Sequence, residues 1–252
     1  IYAGSQDILW VGTDGQGVMQ VYQYTSPFKT VHTNYPVRCF ARDEAGRILV
    51  GTKGEGVKVV DKFSREVTGT LTTSDGLISN TVYSMHKNSF GDIFIGTEGA
   101  GVNYIQRNSA TPLQLSIPAG SPHFKSVYSI AFTDSDSTLW LGTAGSGLIK
   151  IELNRHNGRY TVRNVRQYLS SGGNTSPASN TIYEIIRDAD PEILWLGTRG
   201  GGLERFDTRS DTFTRISDMG HNAQISHNDV LCMAHGRENV LWVGTSYGLN
   251  RI

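Results

Sequence analysis

The sequence is short of the features that mark most functional classes. Only two cysteines occur among 252 residues, Cys39 and Cys232. Each stands 12 residues before a Gly-Thr pair, in strands of non-neighbouring repeats, so small buried thiols are expected and a disulfide is not. No apolar run approaches ~18 residues and the amino terminus lacks signal-peptide form, so the chain as given holds no membrane span or targeting segment. Charge of one sign is missing too, with 23 Lys and Arg against 23 Asp and Glu. A nucleic-acid partner, which needs a basic face, is therefore not expected. Convincing helical periodicity is also absent.

What the sequence has is glycine, 29 residues of it, and much of it sits in one phrase. LWVGTDGQGV begins at Leu9, LVGTKGEGV at Leu49, FIGTEGAGV at Phe94, LWLGTAGSGL at Leu139, LWLGTRGGGL at Leu194 and LWVGTSYGL at Leu241. The Gly-Thr pairs begin at Gly12, Gly51, Gly96, Gly142, Gly197 and Gly244, giving intervals of 39, 45, 46, 55 and 47 residues. A four-stranded antiparallel blade with its turns and crossover needs about 40 to 45 residues. The repeat therefore predicts an all-β protein, a β-propeller of four-stranded antiparallel blades. Six blade units are expected over residues 1–252 as a single propeller segment, the first and last incomplete. Because the chain begins and ends inside blades, it is read as a slice of a longer polypeptide.

The third copy shows the blade pattern. Strand A is expected over Asn80 to His86, B over Asp92 to Thr97, C over Gly101 to Gln106 and D over Leu113 to Ile117. Alternating apolar and polar residues in A, and nearly continuous apolarity in B, suit strands packed between neighbouring sheets. The glycines read as a tight hairpin between B and C, since such turns need positive φ. A phosphate loop is the competing reading of G-T-x-G-x-G, but such loops open a helix and none follows here. All four tryptophans, Trp10, Trp140, Trp195 and Trp242, stand two residues before a Gly-Thr glycine. That position is expected to pack between blades. The asparagines Asn80, Asn180 and Asn228, each just before a strand A, are expected to fix its start by hydrogen bonds to backbone. Asp134 to Ser137 lacks a full calcium ligand set and reads as a type I turn.

Function, in this pattern, falls on what varies. BC hairpins and the crossovers from D to the next A emerge on one face of a propeller. The residue after each Gly-Thr is Asp14, Lys53, Glu98, Ala144, Arg199 and Ser246, unlike in charge and size within a constant frame. Such a surface is asymmetric enough to select a ligand. The candidate ligand-binding residues are therefore Asp14, Lys53, Glu98, Arg199 and Tyr247 at hairpin tips, with His123, His221 and Asn222 on crossovers. Solvated loops are the plain alternative. No metal site is expected, because the histidines form no H-x-H or H-x-x-x-H pair. Paired carboxylates such as Asp14, Glu55 and Glu98 would suit glycoside hydrolysis, yet nothing around them is apolar enough to raise a pKa. No nucleophile motif occurs, so no catalytic residue or cofactor is assigned.

The run DGLISNTVYSMHKNSFGDIFIGTEGAGVNYI, Asp75 to Ile105, closely resembles the two-component regulator propeller repeat, and five further copies extend the likeness over almost the whole chain. The Asp-Gly-Leu crossover, the Ser-Asn before strand A and the aromatic-x-Gly-Thr-x-Gly-x-Gly hairpin carry it. The resemblance implies a periplasmic sensor region of a hybrid two-component system. It also implies seven-bladed propellers, a neighbouring propeller and β-sandwich, a downstream histidine kinase, an oligosaccharide ligand and a homodimer. Only the third copy has the complete Asp-Gly-Leu crossover, and no ligand motif of the family maps onto numbered positions.

Overall fold

The computed structural model describes residues 2–3, 8–13, 17–22, 34–99, 101–216, 224–237 and 240–252. The chain divides into two compact units, Ile1–His32 and Thr33–Ile252. In the first, β1 (Tyr2–Ala3), β2 (Ile8–Thr13) and β3 (Gly17–Tyr22) form an antiparallel sheet with Tyr2 opposite Trp10 and Trp10 opposite Gln20. The fourth strand expected there, Phe28 to Thr33, lies outside the described residues.

The second unit is built from the second to sixth repeats. The second gives β4 (Val37–Arg42), β5 (Ile48–Thr52), β6 (Val57–Val60) and β7 (Val67–Leu71). The third gives β8 (Val82–Lys87), β9 (Ile93–Thr97), β10 (Gly101–Ile105) and β11 (Pro112–Gln114). The fourth gives β12 (Val127–Thr133), β13 (Thr138–Thr143), β14 (Leu148–His156) and β15 (Arg159–Tyr168). The fifth gives β16 (Ile182–Arg187), β17 (Ile193–Thr198), β18 (Leu203–Asp207) and β19 (Thr212–Arg215). The sixth contributes β20 (Val230–His235), β21 (Leu241–Thr245) and β22 (Gly248–Arg251). Each sheet pairs its strands antiparallel in chain order, and the inner strands β4, β8, β12, β16 and β20 contact one another in succession.

This is a β-propeller, with five blades where the sequence suggested six units and a seven-bladed parent. The count differs because the first repeat's strands belong to the separate amino-terminal unit. Four of the five blades have four strands and the sixth repeat has three. The apolar core divides the same way, into four clusters that each fill one junction between successive blades. A blade has two apolar faces and no core of its own, so stacking supplies it.

Local chemistry follows the repeat. The Asp-Gly-Leu crossover is a short 3-10 turn, Thr73–Asp75, closed by Asp75 Oδ2, which accepts from the Thr72 amide at 2.8 Å and the Thr72 hydroxyl at 2.9 Å. Gly76 then takes φ 110°, open to glycine, and Leu77 drops into the core. The asparagine expectation holds for two positions: Asn80 Oδ1 accepts from the Thr73 amide and Asn180 Oδ1 from the Ser170 amide, at 2.8 and 2.7 Å. Asp134–Asp136 departs from the type I turn read from its sequence. It is a 3-10 turn with left-handed φ at all three residues, held by Asp134 Oδ2 on the Thr138 hydroxyl and Asp136 Oδ2 on the Ser89 amide of the neighbouring blade.

The longest interval builds the longest hairpin. β14 and β15 turn through Asn157 and Gly158, both with positive φ, the chemistry of a tight primed turn. The extra length lets β15 reach the third repeat, where Asp92 is fully buried. Its Oδ1 accepts from the Arg107 amide at 2.6 Å, and its Oδ2 from the Tyr160 hydroxyl at 2.7 Å and Arg155 Nε at 3.2 Å.

Candidate functional site at the channel mouth

The Gly-Thr frame has two distinct jobs. The threonine locks the hairpin: the hydroxyls of Thr52, Thr97, Thr143, Thr198 and Thr245 donate to the carbonyls of Gly56, Gly101, Gly147, Gly202 and Gly248. The glycine before it lies within strand B, as the sequence suggested, and has a separate role. A Cβ on Gly96 would lie 2.7 Å from Val127 of the next blade, and one on Gly197 would lie 2.7 Å from Val230. Those glycines let blades approach, and the positive φ of the hairpin falls on later ones such as Gly56 and Gly202.

The residue after the threonine is pinned against its own inner strand. The amides of Lys53, Glu98, Ala144, Arg199 and Ser246 donate to the carbonyls of Pro36, Thr81, Ser126, Thr181 and Asp229. This sets each hairpin tip beside the start of strand A. There, every blade carries a β-bulge, with register shifts at Val37/Cys39, Val82/Ser84, Val127/Ser129, Ile182/Glu184 and Val230/Cys232. A bulge inserts one residue and re-aims its side chain. The inserted positions are Arg38, Tyr83, Tyr128, Tyr183 and Leu231, and all five line a single cavity of about 750 Å³ on the propeller axis.

Three of these make a continuous aromatic arc. Tyr83 meets Tyr128 edge to face at 4.9 Å, Tyr128 stacks on Tyr183 at 5.7 Å, and the Arg38 guanidinium lies 5.5 Å over Tyr83. The next residue in each strand forms a second tier: Cys39, Ser84, Ser129, Glu184 and Cys232. Ser84 donates across the blade junction to the Val127 carbonyl at 3.0 Å. Ser129 accepts from the Ile185 amide at 2.9 Å and donates to Glu184 Oε1 at 3.1 Å. Burial raises the Glu184 carboxyl from 4.5 to about 7, against the lowering by the Ser129 hydrogen bond. It also pushes the Cys39 thiol up to about 12. Cys39 is half-buried and Cys232 exposed, both free, so the expectation of buried thiols is corrected: the strands that carry them face the channel.

Of the candidate residues read from the sequence, Asp14, His221 and Asn222 lie outside the described residues. Lys53, Glu98 and Arg199 occupy equivalent, exposed tips. Only Glu98 is joined to the channel, where its Oε1 accepts from the Tyr83 hydroxyl at 3.4 Å. Tyr247, 77% exposed, lies 5.3 Å from the His227 ring. His227 itself replaces a serine: its Nδ1 accepts from the Asp229 amide as Ser79 and Ser179 Oγ accept from Thr81 and Thr181, which puts its proton on Nε2. His123 is exposed on the crossover from β11 to β12, lining a separate hollow of about 180 Å³. Among the described residues, no side-chain hydrogen bond or ion pair joins Lys53, Arg199 or His123 to another candidate.

The tyrosine arc and Glu184 were missed from the sequence. The repeated Asn-Thr-Val-Tyr and Asn-Thr-Ile-Tyr at Asn80 and Asn180 was the available signal. Among the described residues, no group of three or more His, Cys, Asp or Glu is placed to hold a metal ion, and no helix is long and apolar enough to cross a membrane.

No protein-family model matches the sequence, and no curated protein matches it. The fold recurs in solved structures. The extracellular domain of BT3049 from B. thetaiotaomicron, named for a hybrid two component system, is 24% identical over 98% of this chain and 32% of its own, with a TM-score of 0.67. That of BT4673 from the same organism, also named for a hybrid two component system, is 21% identical over 97% of this chain and 31% of its own, with a TM-score of 0.65. The gluconolactonase XC5397 from Xanthomonas campestris is 11% identical over 83% of this chain and 69% of its own, with a TM-score of 0.58. At these identities the likeness establishes the fold, and this chain spans about a third of the two B. thetaiotaomicron chains.

Proposed function

We propose that this propeller is a non-catalytic sensing module of a hybrid two-component system, displayed in the periplasm, that binds an oligosaccharide. In this reading binding biases the placement of a neighbouring propeller and β-sandwich within a homodimer, and through them a histidine kinase. The observation that carries it is the channel mouth: a Thr-closed hairpin in each of the five blades presents Lys53, Glu98, Arg199 and Tyr247 beside an aromatic arc. A constant frame with unlike side chains selects a ligand without supplying chemistry to transform it. The extracellular domains that share the fold support the setting.

The test is calorimetric titration of the 252-residue chain with neutral tri- to hexasaccharides built from glucose, galactose, mannose, arabinose or xylose. Saturable heat with unchanged sugar after long incubation is expected. Absence of binding to any of them removes the sensing reading, and release of a cleaved product replaces it with an enzyme. A scaffold without its own ligand is the second reading, favoured by the exposed Phe40 on β4 and the exposed Trp242 and Leu249 on β21 and β22. It predicts self-association in sedimentation and no sugar binding.

A further inference from the structure

We propose that the central channel is itself the recognition site, seating one sugar ring against the tyrosine arc beside Tyr128 and Tyr183, with its hydroxyls on Glu184 and Ser129. This rests on the sensing reading and moves its centre from the hairpin tips to the second tier of the inner strands.

Three independent features of the cavity point there. Its volume, about 750 Å³, lies within the ~300–1,000 Å³ of small-molecule sites. Its wall combines aromatic rings with polar groups, the pairing that a pyranose ring needs, since its C–H faces are apolar and its rim is hydroxyl. The third feature is the state of Glu184. Glu204, the other largely buried glutamate of the same blade, has both carboxylate oxygens on the Ala178 amide at 3.0 and 2.9 Å. Glu184 instead lines the channel, where it accepts from the Ser129 hydroxyl and draws on the Ile185 amide as well. A carboxylate in the channel wall is penalised by burial, and with two oxygens offering about four lone-pair sites it keeps acceptor capacity beyond these two donors. Sugar hydroxyls fit the remaining acceptor sites.

Position in the repeat supports the assignment. The equivalents of Glu184 are Cys39, Ser84, Ser129 and Cys232, so four blades place small side chains there. Only the fifth extends a long, ionisable one, next to the point in the arc where Tyr128 stacks on Tyr183. That asymmetry gives an otherwise repetitive channel one orientation for its ligand.

The test uses the 252-residue chain and the sugar that gives saturable binding in the panel described above. Tyr128→Ala and Glu184→Gln should each lower affinity about ten-fold or more, whereas Tyr128→Phe, which keeps the ring, should stay near the parent. Arg199→Ala should change it by less than about three-fold. Cys232 supplies a readout that needs no mutation. It is exposed in the channel, so bound sugar should slow its alkylation by N-ethylmaleimide, with loss of that protection in Glu184→Gln. Binding that survives both channel variants and leaves Cys232 reactive overturns the channel site while sensing stands. No binding by any sugar overturns both.

Discussion

Two sheets of the propeller carry the same phrase, LWLGT at β13 and LWVGT at β21, and bury it differently. In the fourth repeat Trp140 is 0% exposed, locked between Lys150 at 5.5 Å and Phe206 of the next blade at 5.3 Å, with Nε1 donating to Thr133 at 2.9 Å. In the sixth, Trp242 is 38% exposed. The fifth lies between them, with Trp195 half-buried and its Nε1 on Asp188. One sequence position is therefore core or surface according to whether a blade covers that face. Core, in such a molecule, is a property of the junction.

The largest expected effect breaks or confirms that contrast directly. Trp140→Ala should destabilise by about 3 to 5 kcal/mol in urea unfolding, the range for deleting a buried aromatic, and Trp242→Ala by less than about 1. Trp195→Ala should fall between. Equal losses at Trp140 and Trp242 would mean that the outer face of β21 is covered in solution.

Much of this was legible in the sequence, and the part that was not has a physical cause. The strands, the hairpins, the asparagine anchors and the tryptophan position follow from a pattern that recurs with the pleat. The bulges do not, because a bulge is a register event between two strands and leaves no mark in one strand's alternation. Tyr83, Tyr128 and Tyr183 accordingly read as alternation, and only pairing with β9, β13 and β17 turns them into the channel. The Gly-Thr glycines were placed in strand B, but the reason for glycine there, a valine or isoleucine of the next blade about 30 to 40 residues on, is invisible in one strand. Asp92 likewise read only as the first residue of strand B. Its partners Arg155 and Tyr160 reach it only because β14 and β15 outgrow their equivalents.

The second-tier position sharpens the comparison further, since it holds Glu184 in a blade flanked on both sides and Cys232 in the end sheet. A carboxyl whose native pKa, about 7, exceeds its usual 4.5 binds its proton more tightly when folded. Its contribution to stability is then fully present below about pH 4.5 and lost as pH rises through 7, by about 3 kcal/mol. Glu184→Gln, which keeps shape without the titration, should match the parent at pH 5 and exceed it by up to about 3 kcal/mol at pH 8. His86 works in the opposite sense, because burial holds its pKa below 6.5 and costs stability as pH falls. The difference between parent and variant isolates Glu184. A constant difference across this range removes the carboxyl from the buried wall.

The smallest effect asks whether hairpin closure also depends on the neighbours. Thr143 is 0% exposed and makes two bonds, to the Gly147 carbonyl at 2.7 Å and from the Ser146 amide at 3.0 Å. Thr245 makes the equivalent pair at 3.1 and 3.2 Å and a further bond with the partly exposed Ser226 hydroxyl at 2.8 Å, and is 9% exposed. Thr→Val keeps the shape and removes the hydroxyl, leaving a carbonyl and an amide short of a partner. In β13 no water reaches them and the loss should be about 1 to 2 kcal/mol, whereas in β21 solvent replaces part of it and the loss should stay under about 1. If the two variants lose equally, closing a hairpin is a purely local matter, and the junctions between blades govern only the apolar faces.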